Sequence, residues 1–189
     1  MDRVDRVIIS ELIRNGRISY RRIGDIIGYT IMGAKRRVER LLSKGIVRVT
    51  AELNVEKLGL YTALILLEFE DREALRKCLE RFTECPRVVN FFTLLAGYNL
   101  AALVIAEDKD TLESESTEKC SLRSMPGVRR SEFYLIGTVH YAPYLRLRLH
   151  LVTRDREVAP CGVNCGDCER YQAAKCVGCP ATRHYRGPL

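Results

Sequence analysis

The sequence predicts an α+β protein made of a winged helix-turn-helix domain, a ferredoxin-like βαββαβ domain and a small cysteine-rich tail. Three observations lead to this fold class. Two short helical patterns are joined by a glycine turn, alternating strand and helix patterns follow, and five cysteines cluster near the end of the chain. We expect the two domains, their linkers and the tail to occupy, in chain order, residues 1–52, 53–59, 60–152, 153–160 and 161–189.

Capping residues and glycines mark the helices of the first domain, which opens with an amphipathic helical pattern. Ser19 is predicted to cap the second helix and Gly28 to end it, because a left-handed residue commonly closes a helix. Thr30 caps a third helix that Gly45 stops, and the alternation over residues 46–53 predicts a strand. Two capped helices joined by a tight turn are typical of the helix-turn-helix motif.

The predicted third helix carries its positive charge on one side. Its apolar residues recur at helical spacing, whereas Gly33, Arg36, Arg37 and Arg40 fall on the opposite face. Residues 1–50 hold 12 Lys and Arg against 5 Asp and Glu, so this segment accounts for the whole net charge of +7. Such a face suits the major groove of DNA, where arginine reads base edges in a bidentate manner. The alternative is a solvated basic face on an ordinary helix.

From this pattern we predict a surface that contacts double-stranded DNA. Part of the basic face would read bases, while Arg21, Arg22 and Lys44 would contact phosphates. The predicted DNA-binding residues are Ser19, Arg21, Arg22, Thr30, Met32, Gly33, Lys35, Arg36, Arg37, Arg40 and Lys44.

The middle of the chain has the order βαββαβ. Strand patterns occur at residues 60–69, 88–96, 100–106 and 130–139, and helical patterns occur at residues 71–84 and 108–124. In a ferredoxin-like domain both helices cover one face of the sheet, so we expect a second copy of the chain to cover the other. Residues 144–152, in which leucines alternate with Arg or His, predict a further amphipathic strand. Its basic face is either a charged sheet edge or a second contact with nucleic acid.

The tail contains five of the eight cysteines, at the spacing C-x3-C-x2-C-x7-C-x2-C. Two C-x2-C pairs can bend around one metal ion, and so short a segment needs a crosslink in order to fold. We therefore predict a zinc site, because four of these thiols suffice for tetrahedral zinc. An iron–sulfur cluster is the alternative, since a Pro follows the last cysteine, and loose thiols are a further one. The predicted metal ligands are Cys161, Cys165, Cys168, Cys176 and Cys179.

The other three cysteines, Cys78, Cys85 and Cys120, are scattered, and at least Cys78 is expected to be an ordinary core residue. The three histidines are far apart, and no phosphate-binding glycine loop of Walker or Rossmann type is present. We therefore predict that the protein is not an enzyme. Because no apolar run approaches the roughly 20 residues that cross a bilayer, and no signal peptide is evident, we expect a cytoplasmic protein without a membrane partner.

The first 60 residues contain a family pattern. The pattern consists, in chain order, of an Asp-led helix at Asp5, Asn-Gly-Arg at 15–17, the cap Ser19, Arg40-Leu41 and Gly-Ile-Val at 45–47. In this order the segment resembles the N-terminal domain of the feast–famine (Lrp/AsnC) transcription regulators. The resemblance implies a sequence-specific regulator that assembles through its ferredoxin-like (RAM-type) domain into a homodimer or a higher oligomer such as an octamer.

The resemblance also implies an effector loop. In the family, amino-acid effectors bind between subunits near a Gly that is followed by an aromatic residue and Asp. Here the loop reads Gly97-Tyr98-Asn99, so an amide replaces the carboxylate that would pair with an ammonium group. A plain hairpin is the alternative for these three residues. Sirohaem decarboxylases resemble the same architecture, but a decarboxylase has no physical need for a strongly basic recognition helix.

Overall fold

The chain divides into two compact units, Met1–Ala51 and Glu52–Leu189, in this computed structural model. The structure describes residues 1–189, apart from the side chain of Ala96. The helices and strands are α1 Arg3–Arg14, α2 Tyr20–Ile27, α3 Ile31–Ser43, β1 Leu53–Asn54, β2 Tyr61–Phe69, α4 Arg72–Arg81, β3 Val88–Ala96, β4 Tyr98–Ala106, α5 Lys109–Thr117, β5 Val128–Ile136, β6 Tyr144–Leu145 and α6 Glu169–Gln172.

The first unit is a bundle of three helices whose predicted caps are confirmed. The Ser19 hydroxyl accepts from the N–H of Arg22, and the Thr30 hydroxyl accepts from the N–H of Gly33. Gly28 ends α2 with a φ of 71°, as expected for a left-handed closing residue. The helices bury one apolar stripe each, and the fully or nearly fully buried apolar side chains are Ile8, Ile23, Ala34, Val38 and Leu41.

A close approach of the backbone shapes the turn between α2 and α3. A β-carbon at Gly24 would lie only 2.7 Å from the carbonyl oxygen of Tyr29. The N–H of Tyr29 also donates to the Gly24 carbonyl at 2.9 Å, which closes the turn. The local sequence pattern does not indicate this role for Gly24, whose missing side chain allows the backbone of Tyr29 to approach α2 closely.

The strand predicted over residues 46–53 is wrong for all but its last residue. None of the described residues 46–52 lies in a strand. Instead, the N–H groups of Ile46 and Val47 donate to the carbonyl of Leu41, and Val47 packs on the helical core. Within the predicted range only Leu53 lies in a strand, the short β1, which pairs with β6 of the second unit. A strand needs a ladder, and local alternation does not show whether a partner exists.

The second unit is built around an antiparallel sheet with the strand order β3-β4-β2-β5. The predicted order βαββαβ is therefore confirmed, with α4 between β2 and β3 and α5 between β4 and β5. One sheet face packs with residues of both helices on a core that includes Ile65, Leu67, Cys78, Phe82 and Leu112. Cys78 is fully buried there, as expected.

The strand predicted over residues 144–152 shortens to the two residues of β6, followed by a 3-10 turn at Leu149–Leu151. Leu145 and Leu147 pack against a small second core rather than along a sheet. The guanidinium of Arg148 donates to the backbone carbonyls of Thr83 and Cys85. The alternation therefore indicates an apolar side at Leu145 and Leu147, whereas Arg148 on the basic side binds backbone carbonyls.

Candidate nucleic-acid interface and cysteine-lined cavity

The predicted DNA-binding residues lie on α2, α3 and their caps. Arg36 is exposed on α3, and Met32, one turn before it, is 57% exposed. Arg21 and Arg22 are exposed at the start of α2, and Lys44 is exposed where α3 ends. Gly33, near the N-terminal end of α3, is half-buried, and a β-carbon there would lie 3.3 Å from the Thr30 hydroxyl oxygen and 3.4 Å from the Tyr29 ring. The exposed members therefore form one basic surface on the helix-turn-helix.

Two of the predicted arginines are engaged inside the first unit. Arg37 donates to Asp5 at 3.0 Å and also contacts Asp2, while Arg40 donates to Asp5 at 2.8 and 3.0 Å. Asp2 and Asp5 also form a capping box at the start of α1. Lys35 lies 3.7 Å from Glu39, one turn further along α3. Arg36 thus differs from its neighbours, since its charge is directed to solvent.

The carboxylate of Asp5 is the centre of this ion network, although it is only 3% exposed. Burial opposes the charged form, but the capping hydrogen bond with Asp2 and the guanidinium of Arg37 lower the pKa of Asp5 below its usual value. The charge of Asp5 therefore ties α1 to α3 and fixes the helix that carries Arg36.

We expect Asp5→Asn to destabilise the first unit by about 1–3 kcal/mol at neutral pH, because charged hydrogen bonds to two arginines are lost. A lowered folded-state pKa means that the stabilisation is present above the unfolded value of about 3.9 and is lost as the pH falls through the folded value. Thermal unfolding of the full chain across this range should show the two proteins converging at acid pH. Asp25→Asn, on the exposed side of α2, is the control. Equal stability at pH 7 would contradict the role of Asp5.

In the predicted effector loop, the side-chain amide of Asn99 has a structural role. Gly97 links β3 and β4 with a φ of 66°, and Tyr98 and Asn99 already belong to β4 rather than to the turn. The side chain of Asn99 accepts from the N–H of Phe69 at 2.9 Å and donates to its carbonyl at 2.8 Å. The Arg130 guanidinium lies 4.8 Å from the ring centroid of Tyr98. Effector binding by these residues stays a prediction.

Asn99→Asp is expected to destabilise the second unit by about 1–3 kcal/mol, because a carboxylate oxygen would face the Phe69 carbonyl that now receives an N–H. Asn90→Asp is a matched control. The Asn90 side chain is exposed and only accepts, from the N–H of Phe91 at 2.9 Å, so a carboxylate keeps that bond. Chemical denaturation of both variants tests this difference, and equal losses of stability would refute it.

Seven of the eight cysteines line one cavity of about 60 Å³ in the second unit. They are Cys85, Cys120, Cys161, Cys165, Cys168, Cys176 and Cys179. The structure therefore brings together the five tail cysteines and adds two that sequence spacing could not identify. Among the described residues, no three Cys, His, Asp or Glu side chains are arranged as ligands of one ion. We refer to this space as the cysteine cavity.

Polar contacts hold the tail against the second unit. Arg81 donates to the carbonyl of Cys161 at 2.8 Å, and Arg170 donates to the Ser114 hydroxyl at 2.7 Å. The hydroxyl of Tyr185 donates to Glu107 at 2.6 Å. These bonds place the tail beside α5 and the end of β4, where the cysteine cavity forms.

A buried cation lies in the wall of the cysteine cavity. Arg87 contacts Glu107 at 2.8 Å and Glu115 at 3.2 Å, and it donates to the carbonyl of Gly178 at 2.6 Å. Despite burial, the two carboxylates raise the pKa of Arg87 above its usual value, so the guanidinium stays charged. Burial raises the pKa of Glu115 to about 8, and its Oε2 has no hydrogen-bond partner in the described part of the chain.

The three capped helices and the exposed basic surface define the first unit as a helix-turn-helix DNA-binding domain, and the second unit is a ferredoxin-like domain. The family described as winged helix-turn-helix DNA-binding matches residues 1–48. The HTH-type transcriptional regulator YezC of Bacillus subtilis is 31% identical over 60% of this chain and 81% of its own length. The chain belongs to the HTH-type transcriptional regulators.

Two further comparisons extend over about three quarters of the chain. The HTH-type transcriptional regulator PH0061 of Pyrococcus horikoshii is 26% identical over 74% of this chain and 94% of its own length. The structure of Escherichia coli AsnC superposes with a TM-score of 0.67 at 17% identity, covering 75% of this chain and 95% of AsnC. The fold is therefore that of the Lrp/AsnC regulators, and the prediction of a DNA-binding transcriptional regulator, rather than a decarboxylase, is confirmed. No helix among the described residues is long and apolar enough to cross a membrane.

Proposed function

We propose that this regulator acts in the cytoplasm as a homodimer or higher oligomer that reads DNA with the exposed face of α3. The observation that carries the proposal is the solvent-directed Arg36 on a helix whose other two arginines are held by Asp5. Arg36 and Met32 would reach base edges, while Arg21, Arg22 and Lys44 would contact phosphates. Arg37 and Arg40 would then position α3, in addition to any contact with the duplex.

The sheet of the second unit supports assembly with a second copy. On the face opposite α4 and α5, alternate residues of the strands include Leu64 and Leu66 on β2, Phe92 on β3 and Tyr134 on β5. Phe92 is 46% exposed and Tyr134 is 50% exposed. Burying this face against a second copy would remove apolar surface from water. A dimer would then present two α3 helices to half-sites about one helical turn, or a multiple of it, apart.

We also propose that a small-molecule effector binds near the β3–β4 turn, but without the side chain of Asn99. Gly97 forms the β3–β4 turn and Tyr98 begins β4 beside it, but the Asn99 amide is already satisfied by Phe69. An amino-acid effector at this loop would therefore depend on groups other than the Asn99 side chain.

The salt dependence of DNA binding tests the proposed interface. If a dimer contacts about eight phosphates, the logarithm of its affinity should fall with the logarithm of salt concentration at a slope of about −7. The full chain would be titrated with its selected duplex at several salt concentrations. A slope near zero, or no binding at low salt, would overturn the proposed surface.

We propose that the tail cysteines bind a metal through their thiolates, as zinc or as an iron–sulfur cluster. Support comes from the convergence of Cys161, Cys165, Cys168, Cys176 and Cys179 on one cavity. We also propose that the protein is not an enzyme, because its relatives are named transcriptional regulators. Metal analysis of protein purified without added metal tests the proposal, and stoichiometric metal lost from Cys176→Ala/Cys179→Ala is the expected result.

A further inference from the structure

The cysteine cavity is assembled from three separate parts of the chain. Cys85 lies between α4 and β3, Cys120 follows α5, and the remaining five thiols come from the tail. Cys85 and Cys120 are at least 41 positions from the tail cysteines in sequence, so only the folded second unit brings them to the same cavity. A metal centre confined to the tail would not need thiols from the domain on which the tail packs.

The size of the cavity favours a centre with several metal atoms. A cavity needs about 10–15 Å³ to hold one water, and this one has a volume of about 60 Å³. Four thiolates at about 2.3 Å from a zinc ion pack around it and leave no such space. Seven thiols around a cavity of this size exceed what a single tetrahedral ion uses.

The walls of the cavity also suit an anionic cluster. The N–H of Cys179 donates to the sulfur of Cys165 at 3.3 Å, and hydrogen bonds to sulfur are a means by which proteins stabilise such clusters. Pro180, which follows Cys179, is fully buried in the same wall.

We propose that the cysteine cavity holds an iron–sulfur cluster whose ligands include Cys85 or Cys120 together with tail cysteines. The cluster would therefore crosslink the tail to the ferredoxin-like domain. This inference rests on the proposed binding of metal by the tail. It selects an iron–sulfur cluster over zinc, and it adds a ligand from outside the tail. Folding of the tail would depend on the cluster, because the ligands come from both parts.

The test compares full-length variants after anaerobic reconstitution with ferrous iron and sulfide. The wild type should bind iron and acid-labile sulfide in equal amounts and absorb visible light. Cys85→Ala/Cys120→Ala should lose most of the iron, sulfide and colour. Cys78→Ala is the matched control, since Cys78 is the one cysteine that does not line the cavity, and it should keep all three.

Single serine variants guard against a folding defect, because serine preserves the size of the side chain. If Cys85 or Cys120 is a ligand, its replacement by an oxygen should change the electron paramagnetic resonance spectrum of the reduced cluster. Unchanged spectra in both C85S and C120S would overturn the domain ligand.

The remaining outcomes separate this inference from the proposal on which it rests. A colourless protein with one zinc per chain, lost only when Cys176 and Cys179 are replaced, would overturn the cluster and leave metal binding by the tail intact. Protein that binds neither zinc nor iron would overturn both.

Discussion

Arg36→Ala is expected to weaken binding to the selected DNA site by about 1–3 kcal/mol, or about 5- to 150-fold. The side chain is exposed on α3 and directed to solvent, so it is available to pair with a base edge. Loss of a base contact should also relax the preference at one position of each half-site. Competition binding with single-base variants of the site measures both effects.

The matched control for Arg36 is Arg72→Ala, which removes one exposed charge from α4 in the other unit. Its affinity should stay within twofold of the wild type. If Arg36 contacts only a phosphate, its replacement would instead weaken binding evenly across sequences and reduce the salt slope by about 1. An affinity and preference equal to those of the wild type would remove Arg36 from the interface.

Arg87→Met is expected to lower the free energy of unfolding of the second unit by about 3–5 kcal/mol, since it leaves the buried carboxylate of Glu107 without its cation. The side chain of Glu107 is 2% exposed and that of Glu115 is 12% exposed, so water cannot replace the lost guanidinium. Denaturant unfolding of the wild type and the variant, prepared with the same metal content, measures this effect.

Arg76→Met provides the comparison for Arg87. Arg76 also pairs with two glutamates, Glu73 and Glu80, but all three side chains are more than half exposed. Its loss should therefore have little effect on stability, because solvent screens and replaces surface ion pairs. Equal effects of the two substitutions would contradict the view that the buried arginine holds the wall of the cysteine cavity together.

The helix-turn-helix could be predicted from sequence because its signals are local. Ser19 and Thr30 bond to N–H groups three residues away, and Gly28 closes α2 by its own conformation. Strands were harder, since a strand needs a partner that local sequence does not reveal. Residues 46–52 have no such partner, and Leu145 and Leu147 of the predicted second strand pack in a small core instead.

The candidate sites show the same limit. Short cysteine spacings identified the five tail thiols, but Cys85 and Cys120 reach the cavity only through the tertiary fold. Likewise, the positions of Arg37 and Arg40 on α3 indicated a basic face, whereas their partner Asp5 lies 32 and 35 residues away. The sequence could therefore predict which residue types carry the chemistry, but not which of them neutralise one another.

The central claim is that the solvent-directed face of α3 reads the DNA sequence. Selection of genomic DNA fragments by the full-length protein tests this claim most directly. The wild type should enrich one near-palindromic motif with half-sites about one helical turn, or a multiple of it, apart. The Arg36→Ala variant should lose the preference for part of each half-site. Enrichment of no motif by the wild type, or of the same motif equally by both proteins, would contradict this account.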